Sequence, residues 1–354
     1  MKTLITGITG QDGANMVEYL LKNTDSKIYG MARRVSNPNL FNCKDFINDK
    51  RFQIVYGDLS DGVSIDNLVR DIQPNYFINF AAQSFVGCSW DMPLQTFDIN
   101  ANGALRCLEA VRRFCPSCKF YSAGSSEEFG NIDYSPQDIS HPIKPRSPYG
   151  ASKAAARHLV KVYRESYKLF AVHGILFNHE GTKRGEEFVT RKITKNVARI
   201  ASALRKKETF MPLELGNLDA KRDWSDSEDF VDGVWKMLNQ DSPKDYVLSS
   251  SETHSIREFV ELSFRYAGIT GIWNGKHSKE QFCISTEDHF KFDAQSSVLM
   301  KINPEFYRPA EVEILLGDSA PAREELQWEP KVSFPELVKK MTKNDIELLT
   351  KARK

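Results

Sequence analysis

The chain has 354 residues, 41% of them hydrophobic and 27% charged, and its 48 Lys and Arg nearly cancel 47 Asp and Glu to leave a net charge of +1. That length suits two lobes at about 100–200 residues per domain, and the balanced charge offers no footprint for nucleic acid, Arg205, Lys206 and Lys207 reading as a solvated helix end. No apolar run approaches the roughly 18–20 residues that cross a membrane, and the chain opens in a strand-like run without room for a signal peptide, so a cytoplasmic protein is expected.

Elements alternate through the first half. Thr3–Thr6 reads as a buried strand, and Gly13 to Asn23 as a helix with Met16, Val17, Leu20 and Leu21 on its apolar face. Strands follow at Lys27–Met31 and Phe52–Tyr56, then a helix over Ile65–Ile72 that Pro74 ends. Tyr76–Phe80 is a strand, Thr96–Phe114 a long helix, Lys119–Ala123 a strand, Tyr149–Tyr167 a helix and Ala171–Leu176 a strand. This rhythm predicts an α/β fold over residues 1–180, a doubly wound parallel sheet with helices on both faces.

Beyond residue 180 the rhythm breaks. Helices over Val189–Arg205 and Ile256–Ala267 alternate with polar loops at Asn178–Glu187, Asn217–Asp229 and Gly275–Lys291. Asp229–Leu238 and Tyr246–Ser250 look able to return to the sheet. A smaller α/β domain built from residues 181–224 and 251–345 is therefore expected, interleaved with the first. The lysine-rich tail from Lys339 reads as a fraying helical end.

Six cysteines are scattered as Cys43, Cys88, Cys107, Cys115, Cys118 and Cys283. Cys115 and Cys118 have CxxC spacing, but no second pair or histidine cluster completes a zinc site. A turn with two incidental thiols is the better reading, and no metal is expected.

Gly7, Gly10 and Gly13 follow the first strand and open the first helix, with Thr9, Gln11 and Asp12 between them. Glycines there permit a tight turn and close approach of a pyrophosphate to the helix N-terminus. An acidic residue at the end of the second strand would bind a ribose 2′-hydroxyl. Here the strand runs into Arg33 and Arg34, whose guanidiniums suit a 2′-phosphate, so NADP is the expected cofactor. Asp58 and Leu59, after the third strand, would flank the adenine, unless Asp58 is only the N-cap of the next helix. Ala81, Ala82, Gln83 and Ser84, after the fourth, would pass under the nicotinamide ribose.

Tyr149 and Lys153 are one helical turn apart and share a face. A free phenol, with a pKa of about 10, is a poor base at neutral pH, and a nearby ammonium favours the phenolate. Such a pair, with a serine hydroxyl, can take a proton from an alcohol as a hydride leaves its carbon. Ser125 and Glu127 lie upstream, two apart, so at the end of a strand they point to one side. A carboxylate there can remove the acidified proton next to a new ketone and help expel a neighbouring hydroxyl. The bland alternatives are a surface Tyr and Lys on an amphipathic helix and a loop acid beside Glu128.

The sequence resembles the GDP-mannose 4,6-dehydratase family of the extended short-chain dehydrogenase/reductase superfamily, whose nucleotide domain is a Rossmann fold. The resemblance runs from Gly7–Gly13 through Pro145–Gly150, Gly174–Glu180, Arg184-Gly185, Phe188–Lys192 and Leu215–Trp224 to Arg308–Val312 and Leu316–Asp318. It implies an NADP-dependent hydro-lyase that converts a GDP-sugar to its 4-keto-6-deoxy form. Tyr149 would be the base for oxidation at C4, with Lys153 lowering its pKa and holding the nicotinamide ribose. Ser125, where the family usually has Thr, would bond the C4 oxygen. Glu127 would take the C5 proton and assist loss of the C6 hydroxyl, after which hydride returns to C6 and the cofactor ends as it began. His179 and Arg184 match positions near the cofactor. Ser84, Ser125, Glu127, Asn178, Val189, Lys192, Arg222, Arg308 and Glu311 match contacts to the nucleotide sugar. Alone, Arg308 and Glu311 would read as a surface ion pair.

Several positions depart from the family pattern. Phe85 stands for a common His, Gln95 for a Tyr, Glu128-Phe129 for a Leu-Tyr pair, and Ala154–His158 for an aromatic-rich run. Phe85 and Glu128 are the departures that bear on the sugar's identity, through an altered pocket around C6, GDP-D-glycero-manno-heptose being the alternative to GDP-mannose. The loop Val35–Asn39 also differs, and a homodimer through the helices flanking the active-site strand is expected, with a tetramer as the alternative. Two further readings compete: a nucleotide-sugar 4-epimerase or reductase using the same Tyr–Lys pair, and a non-enzymatic NADP-sensing or scaffolding protein. Glu127, which an epimerase does not need, argues against the first. The intact set Ser125, Glu127, Tyr149 and Lys153 argues against the second.

Overall fold

Strand β1 (Lys2–Thr6) runs into helix α1 (Gln11–Asn23) and back to β2 (Lys27–Ala32) in the computed structural model, which describes residues 1–292, 297–307 and 314–351. Next come β3 (Phe52–Tyr56), α2 (Gly62–Ile72), β4 (Tyr76–Asn79), α3 (Gly103–Phe114), β5 (Lys119–Ala123), α4 (Pro148–Tyr167) and β6 (Ala171–Leu176). Two later pieces complete this unit: α5 (Ser227–Leu238) with β7 (Tyr246–Leu248), and α6 (Ala320–Leu326). The sheet order is β7-β6-β5-β4-β1-β2-β3, with every neighbouring pair parallel. The order reverses between β1 and β4, the switch point at which doubly wound sheets bind ligands. The expected α/β fold is what forms, and Tyr246–Leu248 joins the sheet as anticipated.

Period-two alternation builds a core on each face. Ile5, Ile28, Ile78, Tyr121 and Val172 pack with Val17 and Leu20 of α1 and with Phe230 and Val234 of α5. Their chain neighbours Leu4, Phe77, Phe120 and Ala171 pack on the other side with Val69 of α2, Leu108 of α3 and Val160 of α4. Cys115 and Cys118 belong to this second cluster as buried free thiols, Cys115 Sγ donating to the Pro74 carbonyl.

Local details differ from the sequence reading. The single helix expected over 96–114 is three pieces: a turn at Pro93–Phe97, a π-helical turn at Asp98–Asn102, and α3. The Gly103 N–H reaches back to the Asp98 carbonyl, and a Cβ on Gly103 would sit 2.9 Å from Leu59 Cβ, so a side chain there would meet Leu59. Asp61, not Asp58, caps α2 by accepting the Val63 N–H at 3.1 Å. Asp58 instead closes its own turn on Ser60.

The second unit comprises residues 180–222, 253–314 and 332–354. Helices Val189–Lys206, Ile256–Tyr266 and Phe334–Lys351 pack together. Beside them a four-stranded sheet runs in the order 271–274, 281–284, 298–302, 213–215, with only the last pair parallel. Asp345 pairs with Arg191 at 2.8 Å and accepts from Thr194 at 2.6 Å. The lysine-rich tail is thus no fraying end. Leu337, Val338 and Met341 are fully buried, and lysines occupy the outer face. Leu315–Lys331, assigned from sequence to the second domain, belongs to the first unit.

Candidate active site

The glycine turn lies against the backbone that leaves β4. Gly7 has φ +70°, and a Cβ there would stand 2.8 Å from the Ala81 nitrogen; one on Gly13 would stand 2.4 Å from the Gly7 oxygen. Side chains are therefore excluded where the turn meets the Ala81–Ser84 segment. The Ala81 N–H donates to Thr6 Oγ1, the Gln83 N–H to Asn100, and Ser84 is exposed. Gln11 and Asp12 both face His179: Gln11 donates to its carbonyl at 3.0 Å, and Asp12 Oδ2 lies 3.0 Å from its Nε2. The His179 ring stacks on Phe230.

Beyond the turn is a cavity of about 380 Å³ lined by Thr9, Arg33, Arg34, Ile54 and Tyr56, among others. Arg34 donates to the Val35 carbonyl, whereas Arg33 is exposed with no ion-pair partner among the described residues. Ile54 and Tyr56 were not anticipated as lining residues, although their place at the end of a strand adjacent to β2 was a usable signal. Leu59 is buried under Gly103, and its carbonyl accepts from Arg106 at 2.8 Å.

Strand β5 ends at Ala123, and Ser125 caps a single 3₁₀ turn over Ser126–Glu128. The strand alternation invoked for Ser125 and Glu127 therefore does not apply, because a reciprocal cap replaces it. Ser125 Oγ accepts the Glu127 N–H at 3.2 Å, and Glu128 Oε1 accepts the Ser125 N–H at 2.8 Å. Glu127 is left partly exposed. Glu128, a departure from the family pattern that was expected to bear on the sugar's identity, is fully buried against His173.

Helix α4 brings the other two groups in. Ser147 caps it by accepting the Gly150 N–H at 3.0 Å, and Pro148 stands at its first position, where a missing N–H costs nothing. A Cβ on Gly150 would lie 2.5 Å from the Glu127 carbonyl oxygen, so the first turn of α4 rests on the loop and sets Tyr149 beside Glu127 in the fold. Lys153 Nζ donates to the Ala123 carbonyl at 2.7 Å and lies 5.9 Å from the Tyr149 ring centre. Burial drives the Lys153 pKa down to about 8, with Glu128 and then Asp12 opposing the fall. An ammonium that is costly to bury favours a negative phenolate as neighbour.

Asn100 is a residue of this region that sequence reasoning missed. Its Nδ2 donates to the Gln83 carbonyl and to Ser152 Oγ, each at 3.0 Å, and its Oδ1 accepts the Gln83 N–H at 2.9 Å. It thus joins the Ala81–Ser84 segment to α4 one residue before Lys153. The π-turn that aims it inward has no clear sequence signature beyond the run Asn100, Asn102, Gly103.

Asn178 lies in the first unit, its Oδ1 buried without a hydrogen-bond partner among the described residues. In the second unit Arg184 pairs with Glu180 at 3.0 Å and covers the Phe188 ring at 3.6 Å. Val189 opens the helix that carries Lys192 one turn later. Lys192 sits 3.5 Å over the Phe306 ring; burial lowers its pKa and Glu214 opposes this. Arg222 is buried and donates to the Lys221 carbonyl. Arg308 and Glu311 lie outside the described residues.

Comparison with known proteins places this site in context. Solved structures share the fold at about one-fifth identity: a Bacillus anthracis dTDP-glucose 4,6-dehydratase in complex with NAD has TM-score 0.78 and 20% identity, covering 97% of this chain and 96% of that one. A Pseudomonas aeruginosa RMD complexed with NADPH has TM-score 0.74 and 20% identity, over 98% and 99%. Much nearer in sequence are GDP-mannose 4,6 dehydratases of Drosophila melanogaster, 43% identical over 98% of this chain and 87% of the relative, and of Homo sapiens, 42% identical over 98% and 91%. Residues 4–341 match the family described as GDP-mannose 4,6 dehydratase. A match over that span, together with relatives 42–43% identical across 98% of this chain, shows that the chain belongs to the GDP-mannose 4,6-dehydratase family.

Proposed function

We propose that the protein dehydrates GDP-mannose to its GDP-4-keto-6-deoxy sugar without net redox change, using NADP that stays bound. The observation that carries this reading is the Lys153–Ala123 bond, which seats the helix of Tyr149 and Lys153 against the loop that carries Ser125 and Glu127. The first unit fits the dinucleotide. Gly7, Thr9, Gly10, Gln11, Asp12 and Gly13 form the turn for its pyrophosphate, and exposed Arg33 with Arg34 suits a 2′-phosphate in their cavity. Asp58, Leu59, Ala81, Ala82, Gln83, Ser84 and His179 are the further cofactor contacts, and Arg184, in the second unit, is assigned from the family pattern alone. When bound, the cofactor supplies a reversible hydride acceptor.

The chain's own groups do the proton work. Tyr149 takes the proton of the C4 hydroxyl, its phenolate favoured by Lys153, while Ser125 bonds the same oxygen. The ketone acidifies the C5 proton, which Glu127 removes. Glu127 then protonates the C6 hydroxyl, which leaves as water, and the reduction at C6 that the bound cofactor would supply is completed by a solvent-derived proton at C5. In the second unit Lys192 and Arg222, with Arg308, balance the diphosphate. Glu311 accepts from guanine, and Val189, Asn178 and Ser84 shape the rest.

The test is mass spectrometry of holoenzyme incubated with GDP-mannose or with GDP-D-glycero-manno-heptose, in D₂O and without added NADP. Loss of one water from GDP-mannose with deuterium at C5 is the expected result. Water loss from the heptose alone would replace the substrate. Epimerisation without water loss would overturn the dehydratase reading. Glu127→Gln should retain C4 oxidation but stop elimination.

We further assign a homodimer and a cytoplasmic location. Leu94, Phe97, Trp90 and Met92 expose large apolar surface beside α4, where Val162 and Tyr167 do the same, and such a patch suits a second copy. Among the described residues no helix is long and apolar enough to cross a membrane. Leu94→Glu should convert the dimer to monomer by light scattering; an unchanged mass would rule out this face.

A further inference from the structure

A polar cluster lies buried beneath the loop of Ser125 and Glu127, and the steps above do not use it. Glu128 and His173 are both 0% exposed, with Glu128 Oε1 2.9 Å from His173 Nε2 and 2.8 Å from the Ser125 nitrogen. The Tyr121 hydroxyl is buried in the same layer. Glu128 Oε2, His173 Nδ1 and Tyr121 Oη have no hydrogen-bond partner among the described residues. Two glycines make the room. A Cβ on Gly124 would lie 2.3 Å from His173 Nε2, and one on Gly174 would lie 2.8 Å from Tyr121 Oη. Desolvating a carboxylate here costs more than packing an apolar side chain of the same volume, so stability alone does not account for it.

What the pair touches does account for it. Lys153 donates to the carbonyl of Ala123, and Glu128 accepts the N–H of Ser125. The three residues entering the catalytic loop are thus held by a buried ammonium at one end and a buried carboxylate at the other. His173 is itself held, its backbone N–H donating to Asp245 at 2.8 Å while Arg164 clamps that carboxylate at 2.6 and 2.9 Å. We propose that Glu128, oriented by His173, is a positioning residue that keeps Ser125 in its cap and serves as countercharge to the Lys153 ammonium. The inference rests on the assignment of Tyr149 and Lys153 to C4 oxidation.

The consequence is a pH dependence with a defined sign. The groups facing the cluster are Tyr121 from β5, His173 from β6, Lys153 from α4 and Asp12 from α1; Asp245 and Arg164 bound it on the far side. Burial already pulls Lys153 down to about 8 against the pull of Glu128. Removing the Glu128 charge lets Lys153 fall further, so the ammonium is lost nearer neutrality and the Tyr149 phenolate is favoured less.

The experiment compares kcat profiles of holoenzyme variants with GDP-mannose from about pH 6 to about pH 9.5. Glu128→Gln keeps an oxygen for the Ser125 N–H and removes the charge. Its alkaline limb should move toward neutrality by about one unit, with KM little changed. NADP retained through gel filtration should fall over the same range. Glu128→Asp keeps the charge and shortens the reach, so its rate should drop with the limb in place. A Gln variant whose limb stays with the wild type overturns the proposal whatever its rate. Tyr149→Phe, run alongside, separates the two ideas: an active Phe variant removes the catalytic assignment, whereas an inactive one with an unmoved Gln limb removes only the role of Glu128.

Discussion

Lys153 of α4 and Ala123 at the end of β5 are joined by a 2.7 Å hydrogen bond from ammonium to main-chain oxygen. The bond fixes the height of α4 on the strand, and with it the position of Tyr149 over the loop that carries Glu127. It also holds a cation where few polar groups compensate it, which should be visible in stability.

With a folded pKa of about 8 against an ordinary 10.5, Lys153 is neutral in the folded chain and charged in the unfolded chain between those values. The unfolded state binds the extra proton there, so stability rises with pH. The contribution is complete above 10.5 and is lost as pH falls through 8. In urea unfolding, wild type should gain about 3 kcal/mol relative to Lys153→Met as pH rises across that window. A flat difference would mean that the buried amine keeps its ordinary affinity for protons.

Asn100→Ala should slow turnover by about a hundredfold, since displacements near 1 Å at a reacting centre have that effect. The variant loses the bonds to Gln83 and Ser152 that tie two site segments together. Circular dichroism should show little change in helix content, and kcat should fall more than KM rises. Asn100→Asp, which keeps the acceptor for the Gln83 N–H, should lose less.

Arg33→Ala should weaken NADPH binding by about tenfold or more while leaving NADH nearly unaffected, because a charge-assisted contact to phosphate contributes about 1.5–3 kcal/mol. Fluorescence titration with both dinucleotides checks this. Equal losses for the two would move the 2′-phosphate elsewhere.

Asp223→Ala should destabilise the first unit by about 3 kcal/mol, as buried N–H groups lose their acceptor. The carboxylate accepts from the backbone of Ser250 at 2.7 Å, Ser251 at 3.0 Å and Gly317 at 3.3 Å, and from the Ser250 hydroxyl at 2.6 Å. Burial pushes its pKa up to about 6 against these bonds. Denaturant midpoints report the loss.

The sheet was legible because it rests on local pattern: Leu4 beside Ile5 and Phe120 beside Tyr121 supply both cores by simple alternation. The Tyr149–Lys153 pair was legible for the same reason, as helical spacing decides which residues share a face. What sequence could not supply depends on bonds between distant segments. Glu128 read as a pocket residue because nothing local announces His173, 45 residues away, as its partner. The loop at Ser125 read as a strand end because a one-turn cap competes with extension only once Glu128 turns inward. Asn100 was hidden by a π-turn within an otherwise regular helical pattern.

The first unit is closed by a segment that is synthesised late. Trp328 is 1% exposed, and its indole N–H donates to the Asp229 carbonyl at 2.8 Å, against the α5 face that also presents Phe230. A ribosome that has delivered the first six strands has still not delivered the side chain that covers this face. Nascent or truncated chains lacking Trp328 therefore display an open aromatic surface, the feature by which chaperones and proteases recognise unfinished proteins.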